Sequence, residues 1–268
     1  MRHYGLIGAH LSHSFSKNFF TVKFANEGID ADYSLIEIDD ISTIDKVIAE
    51  RELSGFNVTI PYKESIIPYL DELSAEAEAV GAVNCVVVKN GRKIGYNTDI
   101  TGIEATIEWL DKSNALILGT GGASKAVQYV CRKHETVNLF DSKRFNKINA
   151  KRDGDDIQYS VVSRDKARGD YTYTDITAEI IRGHKLIINA TPIGMAPNVE
   201  DAPALPYNAI TDNHSVFDLI YNPAKSQLLS RAEERGATTM NGMLMLQTQA
   251  IASWHIWQRA DKEQPLVN

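Results

Sequence analysis

Lys63 and Asp99 are the residues whose types could move a proton. Lys63 ends the run Asn57-Val58-Thr59-Ile60-Pro61-Tyr62-Lys63, and Asp99 ends Gly95-Tyr96-Asn97-Thr98-Asp99. A lysine partly desolvated beside a carboxylate can give a proton to a reacting oxygen or take one back. The ordinary readings are a solvated surface charge for Lys63 and a turn or helix cap for Asp99. Strand alternation places Asn57 and Thr59 on one face. Lys63 falls just past the strand end, where substrate sites in α/β proteins tend to lie. Asn84, in Gly81-Ala82-Val83-Asn84, is an amide in an otherwise apolar strand. Such a group is either satisfied by a neighbour or used for recognition. Ser14 and Ser16, in Ser12-His13-Ser14-Phe15-Ser16, precede a helical pattern. Hydroxyls there are normally caps, but the pair could also bind a carboxylate with help from the helix dipole.

A second group of residues could hold a nucleotide. Gly119-Thr120-Gly121-Gly122-Ala123-Ser124 directly follows the apolar run Ala115-Leu116-Ile117-Leu118 and opens a helix. Gly119 permits the tight turn, Gly121 lets the backbone approach a pyrophosphate, and the small Ser124 lets the helix pack on the strand. The helix start adds free N–H groups and partial positive charge. Which dinucleotide it suits depends on the next strand of the sheet, and there are two candidates. Val137-Asn138-Leu139-Phe140-Asp141 offers an acid for the ribose hydroxyls and favours NAD. Gln158-Tyr159-Ser160-Val161-Val162-Ser163-Arg164 offers a guanidinium for a 2′-phosphate and favours NADP. The first lies at the usual distance from the glycine turn. The second sits better relative to Asn189.

These residues need elements to position them. Short apolar runs alternate with helical spacing, which predicts an α/β fold. Segments 4–7, 33–38, 55–60, 82–88, 93–96, 115–118, 158–162, 186–189 and 215–219 are predicted strands. The pair Asn90-Gly91 predicts a hairpin. Segments 16–27, 102–110, 124–133 and 244–257 are predicted helices, the first stopping at Gly28. The expected layout is an N-terminal α/β substrate domain over 1–100, completed by a returning C-terminal helix over 243–268. A Rossmann-like, doubly wound dinucleotide-binding domain is expected over 101–242. Two domains imply a cleft whose closure brings Lys63 toward the nicotinamide.

Composition narrows the partners. With 43% hydrophobic residues in 268, the chain can bury a sizeable core. A formal charge of −7 argues against a nucleic-acid binder and against adhesion to anionic membranes, but not against a small anionic substrate. The two cysteines, Cys85 and Cys131, form no metal-ligand spacing and read as reduced thiols. No metal site is expected. The start of the chain does not read as a secretory signal and no run approaches a bilayer span, so a cytoplasmic protein is expected, as monomer or homodimer.

Taken together, the motifs resemble the shikimate dehydrogenase family nearly end to end. They run from Gly5-Leu6-Ile7-Gly8 and Leu11-Ser12-His13-Ser14-Phe15-Ser16 through the segments above to Asn189-Ala190-Thr191-Pro192-Ile193-Gly194-Met195. Asp218-Leu219-Ile220-Tyr221-Asn222-Pro223, Asn241-Gly242 and Met245-Leu246-Gln247-Thr248-Gln249-Ala250 follow in order. The resemblance implies NADP-linked reduction of 3-dehydroshikimate to shikimate, on the route to chorismate and the aromatic amino acids. It implies that Ser14 and Ser16 bind the substrate carboxylate. Asn57, Thr59, Asn84, Asp99 and Gln249 would hold the ring hydroxyls, with Tyr221 also at the site. Lys63 would be the general acid, with Asp99 bonded to it and to the reacting oxygen. Residues Gly119, Thr120, Gly121, Gly122, Ala123 and Ser124 would bind the pyrophosphate, with Ser163 and Arg164 as the 2′-phosphate clamp. Thr191, Leu219 and Gly242 would lie along the nicotinamide. His10, Lys17, Ala75 and Leu244 depart from the family pattern, and a Ser163-Arg164 clamp makes 135–156 an insertion. An NAD-linked quinate/shikimate dehydrogenase and a non-catalytic ring-acid binder are the alternatives.

Overall fold

The structure, a computed structural model, describes residues 1–11, 14–110, 114–132, 137–141, 146–150 and 157–262. The chain divides into two compact units, Met1–Thr98 with Ala250–Asn268, and Asp99–Gln249.

In the first unit the elements run β1 (Arg2–Gly8), α1 (Phe15–Glu27), β2 (Ala31–Glu37), α2 (Ile44–Arg51), β3 (Leu53–Val58), β4 (Glu72–Leu73), α3 (Ala75–Val80), β5 (Cys85–Lys89) and β6 (Arg92–Tyr96). They form one mixed sheet in the order β2-β1-β3-β5-β6-β4. Strands β1, β2 and β3 are parallel, and β5 runs antiparallel to β3 and β6. Helix α1 buries Phe20 and Phe24, spaced one turn apart, and Gly28 ends it in the left-handed region at φ 62°. The predicted hairpin is there: Asn90 and Gly91, at φ 51° and 75°, make the two-residue turn between β5 and β6.

The second unit contains α4 (Asp99–Ile107), β7 (Asn114–Leu118), α5 (Gly122–Cys131), β8 (Val137–Asp141), β9 (Asn146–Ala150), β10 (Gln158–Ser163), β11 (Tyr171–Thr172), α6 (Ala178–Gly183), β12 (Leu186–Asn189), β13 (Ser215–Asp218), α7 (Gln227–Glu233) and β14 (Thr238–Met240). The last helix, α8 (Met243–Lys262), begins in this unit and ends in the first. Six strands form a sheet of order β11-β10-β7-β12-β13-β14, with every pairing parallel. This is the Rossmann-like, doubly wound arrangement. Its central strands bury residues 115–118 and 186–188, so they read as continuous apolar runs.

The sheet order decides between the two candidate neighbours of β7. Strand β10 pairs with it in register from Gln158↔Asn114 to Val162↔Leu118. Strand β8 pairs only with β9, antiparallel, in a separate two-stranded sheet. The Ile157 N–H donates to the Cys131 carbonyl at 3.1 Å, so the end of α5 and the approach to β10 adjoin. The candidate in which Asp141 follows the neighbouring strand is therefore set aside, and the other holds: Arg164 follows it.

Three smaller expectations also change. β3 ends at Val58, so Thr59 lies beyond the strand rather than alternating within it. Asn84 immediately precedes β5 instead of sitting inside a strand. α4 starts at Asp99 rather than at 102, because a carboxylate suits the positive end of a helix. Among the described residues no helix is long and apolar enough to cross a membrane.

Candidate active site

The first unit gathers Ser16, Asn57 and Asn84 into one buried hydrogen-bond chain. Asn57 is 4% exposed. Its Oδ1 accepts from the Tyr33 hydroxyl at 2.9 Å, and its Nδ2 donates to the Asn84 carbonyl at 3.0 Å and to Ser253 Oγ at 2.9 Å. Ser16 bonds the Tyr33 oxygen in turn, so the chain reaches from α1 to α8. Burial holds the Tyr33 hydroxyl well above its ordinary range, which keeps it a neutral donor. Burial likewise pushes the Cys85 thiol up to about 12, against a bond from Ser253. It is an inert packing group.

Asn84 is clamped by the next turn of chain. Its Oδ1 accepts the Thr98 N–H at 2.7 Å, and its Nδ2 donates to Thr98 Oγ1 at 2.9 Å. Thr98 Oγ1 also meets Ser253 Oγ at 3.1 Å. The motif Asn97-Thr98 is held further by Asn97 Nδ2, which donates to the Ala82 carbonyl at 2.8 Å. These bonds fix the backbone from which Asp99 projects as the first residue of α4, 3% exposed. Lys63 is partly buried, and its carbonyl accepts the Val83 N–H at 2.7 Å, tying its loop to the Asn84 segment. Thr59 donates its N–H to the Ile7 carbonyl at 2.9 Å. Ser14 occupies the N-cap of α1, yet its side chain makes no capping bond, so the ordinary reading of that hydroxyl fails. Ser12 and His13 lie outside the described residues.

In the second unit the candidate cofactor residues meet at the carboxyl ends of parallel strands. Gly119 sits at φ 108° and donates its N–H to the Val162 carbonyl at 2.9 Å. A side chain there would collide with Thr191. Gly121 is the N-cap of α5, and a Cβ on it would meet nothing within 4 Å. That open space against the first N–H groups of a helix is what a phosphate needs. Ser124, fully buried, donates to the Gly119 carbonyl at 2.6 Å and locks the turn to the helix. At the end of β10, Ser163 Oγ accepts the Asp165 N–H at 3.0 Å, and Arg164 is exposed. Thr120, Gly122 and Ala123 complete the turn and the first residues of α5.

Two further strand ends complete this face. Thr191 follows β12, and its N–H and hydroxyl both donate to Asn189 Oδ1, at 3.1 and 2.6 Å. Leu219 and Tyr221 follow β13, and Gly242 packs so tightly that a Cβ would lie 2.0 Å from the Leu219 carbonyl oxygen. Gln249 is 8% exposed in α8 and donates to the Leu246 carbonyl at 3.1 Å. Lys63 belongs to the first unit, and Asp99, Tyr221 and Gln249 belong to the second.

Comparison with known proteins converges on one family. The sequence model of the shikimate dehydrogenase substrate binding domain matches residues 6–86. A shikimate dehydrogenase (NADP(+)) of Methanococcus maripaludis is 36% identical over 259 residues, 94% of this chain and 90% of the relative. The chain belongs to the shikimate dehydrogenase family. Solved shikimate dehydrogenases share its fold. Shikimate dehydrogenase 1 of Peptoclostridium difficile superposes with a TM-score of 0.78 at 35% identity, over 99% of this chain and 94% of that one. A shikimate dehydrogenase solved in complex with NADP+ gives 0.75 at 30% identity, over 96% and 90%.

Several residues of this shikimate dehydrogenase family member have roles that the sequence does not reveal. Tyr33, Thr98 and Ser253 complete the Asn57–Asn84 chain. Ser253 carried one signal, a small polar residue inside the apolar stripe of α8. Arg168 donates to the Thr120 carbonyl at 3.4 Å, adding a cation beside the glycine turn. Asp218 lay within a quoted motif without an assigned role, and it proves to be a buried hub.

Proposed function

We propose that the chain reduces the ring ketone of 3-dehydroshikimate to shikimate, reversibly, with the ring acid on the first unit and NADP on the second. The enzyme is an NADP-dependent oxidoreductase acting on a CH–OH group, as its family membership establishes. When bound, the nicotinamide supplies or accepts the hydride. The chain's residues do the rest. Ser14 and Ser16 receive the substrate carboxylate at the head of α1. Asn57, Thr59, Asn84 and Gln249 orient the ring hydroxyls, with Tyr221 beside them. Lys63 protonates the ketone oxygen as negative charge builds there, and Asp99 holds that oxygen and the ammonium together. In the reverse direction Lys63 takes the proton. Gly119 to Ser124 accept the pyrophosphate, Ser163 and Arg164 the 2′-phosphate, and Thr191, Leu219 and Gly242 flank the nicotinamide.

The observation that carries the cofactor assignment is the pairing of β10 with β7. It sets Arg164 one strand over from the glycine turn, where a guanidinium meets a 2′-phosphate by charge-assisted bonds. Cys85 and Cys131 are both buried and not joined in a disulfide, which supports a reducing cytoplasmic setting. The deciding experiment is initial rate with shikimate and with quinate, each with NADP+ and NAD+. Shikimate with NADP+ should give the highest kcat/KM, and Arg164→Ala should raise KM for NADP+ about tenfold or more while leaving the NAD+ rate nearly unchanged. Equal rates with both cofactors, unaltered in that variant, would remove the clamp. No turnover with any pair would favour the non-catalytic binder.

A further inference from the structure

The buried carboxylate of Asp218 has no place in the chemistry above, yet three groups converge on it. Asp218 ends β13 and is fully buried. Its Oδ1 accepts Asn189 Nδ2 at 3.0 Å and the Ile220 N–H at 3.1 Å. Its Oδ2 accepts the Ser226 hydroxyl at 2.5 Å. Ser226 is the N-cap of α7, where its oxygen takes the Leu229 N–H at 3.4 Å. Asn189 is the cross-strand register partner of Asp218 and of Leu118, the residue before the glycine turn. Its amide carries the connection onward. Nδ2 also donates to the Ile193 carbonyl at 3.4 Å, and Oδ1 holds both donors of Thr191. Thr191 in turn lies against Gly119, where an added Cβ would be 2.9 Å from its methyl.

A single carboxylate thus joins the loop after β12, the loop after β13 and the start of α7. Those two loops carry Thr191, Leu219 and Tyr221. Burial pushes the Asp218 carboxyl up to about 6, opposed by bonds from Ser226, Ile220 and Asn189. A group held at that cost in solvation has structure to maintain around it.

We infer that Asp218 is a positioning residue for hydride transfer. Through Asn189 and the Ile220 N–H, it fixes the two loops that flank the nicotinamide ring. The inference rests on the cofactor placement proposed above. It predicts a particular split. The adenosine half of the cofactor is held elsewhere, by Arg164 and the glycine turn, so affinity survives when the ring end loosens. The rate does not survive, because hydride transfer depends on alignment.

The test is steady-state kinetics of Asp218→Ala and Asp218→Asn beside the wild type, with shikimate and NADP+. Wild-type turnover reads the proposed function, and the ratio of variant to wild type reads this inference. Asp218→Ala should lose about tenfold to a hundredfold in kcat, with KM for shikimate and for NADP+ each within about threefold. Asp218→Asn keeps an oxygen for Asn189 and Ile220 and can donate to Ser226 Oγ. It should therefore recover kcat to within about threefold of wild type. A folded Asp218→Ala with wild-type kcat would overturn the inference. So would an Asp218→Asn as impaired as the alanine variant, since the charge and not the tethering would then matter. If Asp218→Ala does not fold, Ser226→Ala decides. A loss of about threefold or more in kcat at unchanged KM supports the tethering, and full activity overturns it.

Discussion

At the residue scale, the protein places ionisable groups where burial sets their behaviour. In the proposed reaction Lys63 is the general acid. Lys63→Ala should reduce kcat by about a hundredfold or more while shikimate binding, followed by calorimetry, stays within severalfold. Unchanged turnover would take Lys63 out of the reaction. Asp218 gives a stability prediction that needs no ligand. Its folded pKa, about 6, lies above the ordinary 3.8. The folded state therefore binds this proton more tightly than the unfolded state does. The group favours folding most when protonated, below about pH 4, and that contribution is lost as pH rises through 6. The whole swing is on the order of 3 kcal/mol. Asp218→Asn lacks this titration. As pH falls from 7 to 5, the urea midpoint of the wild type should rise relative to that of the variant. Parallel curves would show that Asp218 titrates alike in both states.

At the element scale, the close approach of α8 to the sheet of the first unit is specified by a single missing side chain. A Cβ on Gly55 would lie 2.5 Å from Trp257 Nε1 and 2.9 Å from the Val86 carbonyl, the same oxygen that accepts the indole N–H at 3.0 Å. Gly55→Ala should destabilise the protein by about 1–3 kcal/mol in thermal or urea melts. Combined with Trp257→Phe, it should cost less than the sum of the two single changes, because both act on one contact. Strict additivity would mean that the helix moves away freely. Local order of this kind was legible in the sequence where the cause was local. The phenylalanine spacing and Gly28 announced α1, and Asn90-Gly91 announced the β5–β6 turn. The glycine turn between β7 and α5 was equally plain. The neighbour of β7 was not, because parallel pairing joins residues far apart in sequence, and 137–141 and 158–162 are both short apolar runs. The partners of Asn57 were hidden for the same reason. Tyr33, Asn84 and Ser253 come from separate stretches of chain, and nothing in a lone serine in α8 names an asparagine in β3.

At the scale of the whole molecule, β8 and β9 pair with each other and not with the sheet whose strand order sets the glycine turn. Replacing residues 134–155 by a short glycine-serine turn should leave the melting temperature within a few degrees and NADP-linked turnover within about threefold. Loss of activity with a normal melt would show that this stretch has a role in catalysis; loss of the fold would show that β7 and β10 need it to find each other. The Cys131–Ile157 hydrogen bond explains why so large a change should be tolerated. Where a stretch leaves and returns through adjoining backbone groups, the entropy of closing it grows only with the logarithm of its length. Natural drift or a protein engineer could therefore lengthen this excursion, or graft a reporter onto it, at little entropic cost.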